Sequence, residues 1–160
     1  MAYYAKTIDS PLGLLKLISD EHNLKSIVFV TQMEDVALFF PDILCLAQTQ
    51  LEEYFSGIRQ EFEIPLDPEG TDFQLRVWYL LERVEYGSVK SYLAIARELG
   101  SENSSRAVGM ANGRNPIPIV IPCHRIVGQN GKLTGYSGGL DRKRCLLLHE
   151  QKFAPAKPLF

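Results

Sequence analysis

The chain has 160 residues, 46% of them hydrophobic and 22% charged, with 17 Lys and Arg against 19 Asp and Glu, which excludes a disordered or fibrous protein and suits one compact domain or two small ones. No apolar run approaches the roughly 18 residues of a membrane-crossing helix, and the opening MAYYAKTIDS lacks the pattern of a secretion signal, so a cytoplasmic protein with no membrane partner is expected. Three cysteines, Cys45, Cys123 and Cys145, are an odd number that does not suggest a disulfide framework.

Residues 3–9, 12–19 and 24–30 are short apolar and β-branched runs parted by Ser10-Pro11 and by the turn-type stretch 20–23, which predicts a three-strand antiparallel meander. Over 43–55, Leu44, Ala47, Leu51, Tyr54 and Phe55 recur at three- and four-residue spacing and Gly57 follows as a stop. That predicts an amphipathic helix, with Cys45 on its apolar face. Pro65, Pro68 and Gly70 then mark a boundary between an amino-terminal domain, 1–70, and a second domain, 71–160.

In the second domain Thr71 or Asp72 can cap a helix carrying Phe73, Val77, Leu80, Leu81 and Val84 and ending before Gly87, with Trp78 as ordinary packing. Ser91 caps a helix over 92–99, Gly100 offers a stop, and another helix begins near Ser104 and runs through Arg106 and Ala111. Two short helices around a glycine-containing turn suggest a helix-turn-helix. In the second of them Ala107, Gly109, Ala111 and Gly113 are small while Arg106 and Arg114 are basic, so the backbone would let a partner approach closely. Charge favours the same half: residues 1–80 hold five Lys and Arg against 13 Asp and Glu, a balance of −8, and residues 81–160 hold 12 against six, a balance of +6. A basic half in an acidic chain is what local binding of a polyanion requires.

The least ordinary stretch is NPIPIVIPCHRIV, residues 115–127. Prolines at 116, 118 and 122 exclude a regular helix and disfavour a central strand, so an extended, stiffened segment delivers Cys123 and His124 at its end. A free thiol is only a few per cent anion at neutral pH, and nucleophilic use needs a neighbouring base or cation, for which His124 and Arg125 are candidates. A third group should orient the imidazole, and Glu82, Glu85, Glu98, Glu102, Asp141 and Glu150 are all available in this half. The competing readings are a buried, inert cysteine and a zinc site. Adjacent Cys123 and His124 cannot readily chelate one tetrahedral ion, Cys145 beside Leu146, Leu147 and Leu148 reads as core, and His22 and His149 read as surface or packing residues.

The stretch 106–127, RAVGMANGRNPIPIVIPCHRIV, followed by GYSGGL (135–140) and LLLHE (146–150), resembles the O6-alkylguanine-DNA alkyltransferases, and TDFQLRVW (71–78) and YGSVKSYLAIA (86–96) extend the likeness over residues 71–160. The family resemblance implies an α/β (α+β) fold: a small amino-terminal antiparallel sheet with a helix, RNase H-like in the family, then a mostly helical, winged helix-turn-helix-like domain. It implies direct reversal of DNA damage, in which one alkyl group moves irreversibly from guanine O6 to Cys123 after the base is flipped out of the duplex. His124 matches the base that deprotonates the thiol through a water, Glu150 the acid that orients it, Tyr92 a phenol that serves N3, and Asn115 a brace of the site. Tyr136, Ser137 and Gly138 of the 135–139 loop, Met110 and Pro118 match the base pocket, and the carbonyls near Cys123 and Ile126 would receive the guanine amino group. Arg106 matches a finger that fills the gap left by the base, with Ala107, Gly109, Arg114, Arg125 and Ser104 beside it toward DNA. Arg97, Lys90 and Lys132 are further phosphate candidates. The implied partner is double-stranded DNA containing O6-alkylguanine; no cofactor, metal or obligate protein partner is expected, and the chain is expected to be a monomer. A thiol hydrolase and a lesion-recognition module without chemistry are the two alternatives.

Overall fold

The computed structural model describes residues 2–33 and 39–154, and its packing divides the chain into two units, Met1–Glu69 and Gly70–Phe160. In the first unit, β1 (Tyr4–Ile8), β2 (Leu14–Ser19) and β3 (Leu24–Val30) form an antiparallel sheet in that order. The alternation of side chains along β2 sets the register: Leu15 and Leu17 are fully buried on one face, and Leu17 pairs with Ile27 of β3. Gly13, at φ 106°, makes the first turn, its N–H donating to Ser10 O at 3.0 Å. The Asp20 carboxylate makes the second by accepting from the backbone N–H groups of His22 and Asn23.

Helix α1 (Asp42–Phe55) lays Ile43, Leu44, Ala47, Leu51 and Tyr54 against the sheet. The expected placement of Cys45 on that apolar face is corrected: it is exposed, because the helix phase that buries Leu44 and Ala47 turns position 45 outward.

The second unit opens with α2 (Asp72–Glu82), started by a reciprocal capping box in which Thr71 and Gln74 each bind the other's backbone N–H. Its Trp78 is buried, and the indole N–H donates to Ala111 O at 2.8 Å. This bond ties α2 to α4 (Ser105–Gly113), which follows α3 (Tyr92–Glu98) and a single 3-10 turn at Glu102–Ser104. A short parallel pair, β4 (Lys90–Ser91) and β5 (Ile126–Val127), aligns the start of α3 with the residues just after Cys123. The last helix, α5 (Leu140–Phe153), buries Lys143, Leu146, Leu147 and Glu150 along one face. That spacing of three, one and three residues leaves Cys145 and Leu148 outside, so the reading of Cys145 as core is corrected as well. Among the described residues no helix is long and apolar enough to cross a membrane.

Candidate active site

The proline-rich stretch neither coils nor pairs as a regular strand; it folds into a tight turn. Ile121 N–H donates to Ile117 O at 2.9 Å, with Ile119 at the tip in the left-handed region, φ 75°. A β-branched residue there is strained, and it is held by complete burial of its side chain and by Asn115. The Asn115 amide spans the turn, accepting from Ile117 N–H at 3.0 Å and donating to Ile121 O at 2.7 Å. Cys123 follows at the start of a 3-10 turn, Cys123–Arg125, with 1% of its surface exposed. Burial pushes its thiol up to about 11, while Asn115, the positive charge of Lys143 and local backbone N–H groups act in the opposite sense.

The next two residues share one acid. His124 Nε2 and Glu150 Oε2 lie 2.7 Å apart, and Arg125 grips the same carboxylate with a fork, Nε to Oε1 at 2.8 Å and a terminal nitrogen to Oε2 at 3.0 Å. The other terminal nitrogen of Arg125 donates to Val84 O at 2.7 Å, and Gly87 N–H donates to Glu150 Oε1 at 3.3 Å. Burial works to raise the Glu150 carboxyl but is outweighed by His124 and Arg125, which hold it well below the usual carboxylate range. Burial drives His124 the other way, below its ordinary value, with Glu150 opposing and Arg125 and Lys143 assisting. The resting array is therefore a carboxylate, a guanidinium and a neutral imidazole. With Nε2–H directed at Glu150, His124 presents Nδ1 as an acceptor, and this buried atom meets no partner among the described residues.

On the other side of Cys123, the Tyr92 hydroxyl donates to Thr134 O at 3.1 Å and accepts from Thr134 Oγ1 at 3.2 Å. Lys143, wholly buried, donates to the carbonyls of Thr134 at 2.6 Å and Ile126 at 2.5 Å. Burial brings its ammonium down to about 8, with the nearby Cys123 opposing. Tyr136 is buried, its phenol pushed up by burial and then by Cys123, and its hydroxyl meets no partner among the described residues. Gly139 N–H closes the 135–139 loop onto Tyr136 O, and Ser137 stands exposed on it. Pro118 is buried within the turn that precedes Cys123.

Helix α4 presents Arg106, Ala107, Met110, Gly113 and Arg114 as one exposed stripe, since these positions fall on a single helical face. Three expectations are corrected by these positions. Arg125 is not a DNA-facing cation, because its guanidinium is buried and committed to Glu150 and Val84. Met110, expected in the wall of the base pocket, stands 60% exposed on the Arg106 stripe. Gly109 faces the Tyr92 ring, which an added Cβ would meet at an ordinary contact distance of 3.7 Å, so it is turned toward α3 and away from the exposed stripe. Ser104 bonds the Ser101 hydroxyl just before that stripe, while Lys90 and Arg97 are already paired with Glu98 and Glu102.

Residues 72–152 match the family described as 6-O-methylguanine DNA methyltransferase, DNA binding domain, and residues 3–68 match its ribonuclease-like domain. The chain belongs to this methyltransferase family. A methylated-DNA–protein-cysteine methyltransferase of Mycolicibacterium paratuberculosis is 46% identical over 155 residues, covering 94% of each chain. The crystal structure of Mycobacterium tuberculosis O6-methylguanine methyltransferase superposes with a TM-score of 0.86 at 44% identity, over 97% of this chain and 96% of that one. The OGT of the same organism, crystallised in complex with DNA, gives a TM-score of 0.85 at 45% identity and covers 96% of both chains. Within this family fold, sequence reasoning overlooked Lys143, Thr134 and Asn112. Lys143 hides in the charged run Asp141-Arg142-Lys143-Arg144, and the one available signal was its spacing of seven from Glu150 on the same helix.

Proposed function

We propose that this chain reverses O6-alkylation of guanine in DNA by taking the alkyl group onto Cys123 Sγ, once per molecule. The observation that carries this reading is a buried thiol directly followed by a neutral imidazole whose far nitrogen is anchored by Glu150 and whose near nitrogen is an unpartnered acceptor. In the reaction Sγ attacks the alkyl carbon in line with the C–O6 bond; an S–C bond forms, the C–O6 bond breaks, and its electron pair returns to guanine. The thiol proton passes to His124 Nδ1 through one water. Because burial holds the thiol protonated at rest, deprotonation belongs to the moment of attack, when Lys143 offsets the anion. Tyr92, released from Thr134 O, supplies a donor to the ring nitrogen as negative charge develops there.

A stacked guanine cannot reach a buried sulfur, so the nucleotide must leave the duplex at a cost of a few kcal/mol. Arg106 and the small exposed residues beside it suit close docking in the minor groove, with the arginine filling the gap. The relative crystallised in complex with DNA supports DNA as the partner. The test is intact mass and peptide mapping after incubation with a duplex carrying one O6-methylguanine. One methyl group on Cys123 and restored guanine are expected, and Cys123→Ala should bind the duplex without acquiring mass. Turnover beyond one event per chain, or methyl transfer to the Ala variant, would refute the reading.

A further inference from the structure

We infer that Thr134 is a positioning residue for the transfer: its side-chain hydroxyl, by donating to the phenol oxygen of Tyr92, leaves that phenol its own hydrogen to offer the base. The inference rests on the alkyl-transfer reading above and adds a residue to it. Thr134 stands half-buried between β5 and α5, 42 residues from Tyr92 in the chain. Its two oxygens meet the same phenol: the backbone carbonyl accepts from Tyr92 Oη at 3.1 Å, and Oγ1 donates to Tyr92 Oη at 3.2 Å. The backbone is clamped at this point, because buried Lys143 donates to the same carbonyl at 2.6 Å and to Ile126 O at 2.5 Å. Lys143 also lies against Tyr92 itself, with Nζ 6.0 Å from the centre of its ring.

The two bonds behave differently when a base arrives. A phenol has one hydrogen to give and an oxygen that can also accept. At rest the hydrogen goes to Thr134 O, which receives both Tyr92 and Lys143. When Tyr92 turns its hydrogen to a ring nitrogen, Thr134 O keeps Lys143, so no carbonyl is orphaned by the turn. The Oγ1 bond need not change at all, since it ends on the phenol oxygen and not on its hydrogen. It keeps that oxygen engaged as an acceptor, and a hydroxyl that accepts is the stronger donor for it. Burial pushes the Tyr92 phenol up, the Thr134 hydroxyl acts in the opposite sense, and Cys123 adds to the rise. Donor strength that burial removes is therefore partly restored by Thr134, at the place where negative charge develops on the departing guanine.

The test follows single-turnover benzyl transfer from free O6-benzylguanine to Cys123 of the full chain by mass, in the wild type, Thr134→Val, Tyr92→Phe and the double variant. Valine keeps the branched shape and removes the hydroxyl, while the backbone carbonyl stays available to Tyr92 and Lys143. Thr134→Val should slow transfer about fivefold, the worth of one hydrogen bond, and Thr134→Ser should restore most of the wild-type rate. In the Tyr92→Phe background the Val change should bring no further slowing. A residue that only shapes the loop would slow transfer equally with or without the phenol, and that result overturns the inference. So does an unchanged rate in Thr134→Val, or a Thr134→Ser variant as slow as the Val one. Thr134→Ala gives the same reading if the Val variant folds poorly. Absence of transfer to the wild type would overturn the alkyl-transfer reading and this inference with it.

Discussion

Replacing Arg125 by Met removes the cation from a buried carboxylate while keeping an unbranched side chain of comparable length. Glu150 is completely buried, and the variant takes away two of the hydrogen bonds on its oxygens as well as the one on Val84 O, leaving His124 and Gly87 N–H as donors. Breaking one side of a buried ion pair costs about 3–5 kcal/mol, because the other charge stays behind uncompensated. With a urea dependence of about 2 kcal/mol per molar for a unit of this size, the unfolding midpoint should drop by about 2 M. Trp78 is the only tryptophan, buried in the second unit, so its fluorescence reports this unit without contribution from the first. In a Glu150→Gln background the same Arg125→Met change should cost about 2 kcal/mol less, since no charge is then stranded. A loss below 1 kcal/mol in the wild-type background, or identical losses in both, would refute a buried pair that depends on Arg125.

Four further outcomes follow from the same geometry. His124 is held below its ordinary value, so the single-turnover rate should stay level as pH falls through 6.5 and drop only below it, and a half-point at or above 6.5 in a pH–rate profile would contradict a neutral resting imidazole. The unfolded chain takes up that proton near pH 6.5 while the folded chain still refuses it, so the unfolded state binds more protons and urea stability should decline from pH 6.5 downward; stability that rises in this window would reverse the assignment. Tyr92→Phe should slow transfer by about tenfold or more with duplex affinity little changed, and an equal rate would remove the donor role. Arg106→Ala should slow repair in a duplex more than transfer from free O6-benzylguanine, and equal slowing would argue against a residue that acts through base extrusion.

The three strands were legible because one face of the sheet is buried and the period-two pattern survives in the sequence. So were α1 to α4, whose apolar spacing and caps are local properties. The irregular backbone of the proline-rich approach to Cys123 was legible, but not its form: an extended segment was expected and the chain folds into a tight turn, with Ile119 at a positive φ that its burial holds in place. The partners of charged residues were hidden for a physical reason. Whether Arg125 faces DNA or a carboxylate depends on Glu150, 25 residues away, and six acids were equally available until the chain folded. Lys143 had the same problem: in a run of charges its solvated form is the default, and only the converging carbonyls of Ile126 and Thr134 make burial tolerable. The error at Cys145 came from its neighbours, for helix phase matters more than the company of leucines.

The near-complete burial of Cys123 bears on the chemical life of the molecule before it meets damage. A nucleophile used once is lost to any stray electrophile that finds it first. At about 11, the thiol carries roughly a hundredfold less anion than an ordinary cysteine, and reagents in solution have little surface to approach. Cys45 and Cys145 stand exposed and would intercept such reagents while the working sulfur stays unspent. The same seclusion makes the site hard to label by general electrophiles and open to those delivered on a purine, so the shape that admits a flipped base also determines which alkylating agents can exhaust the protein.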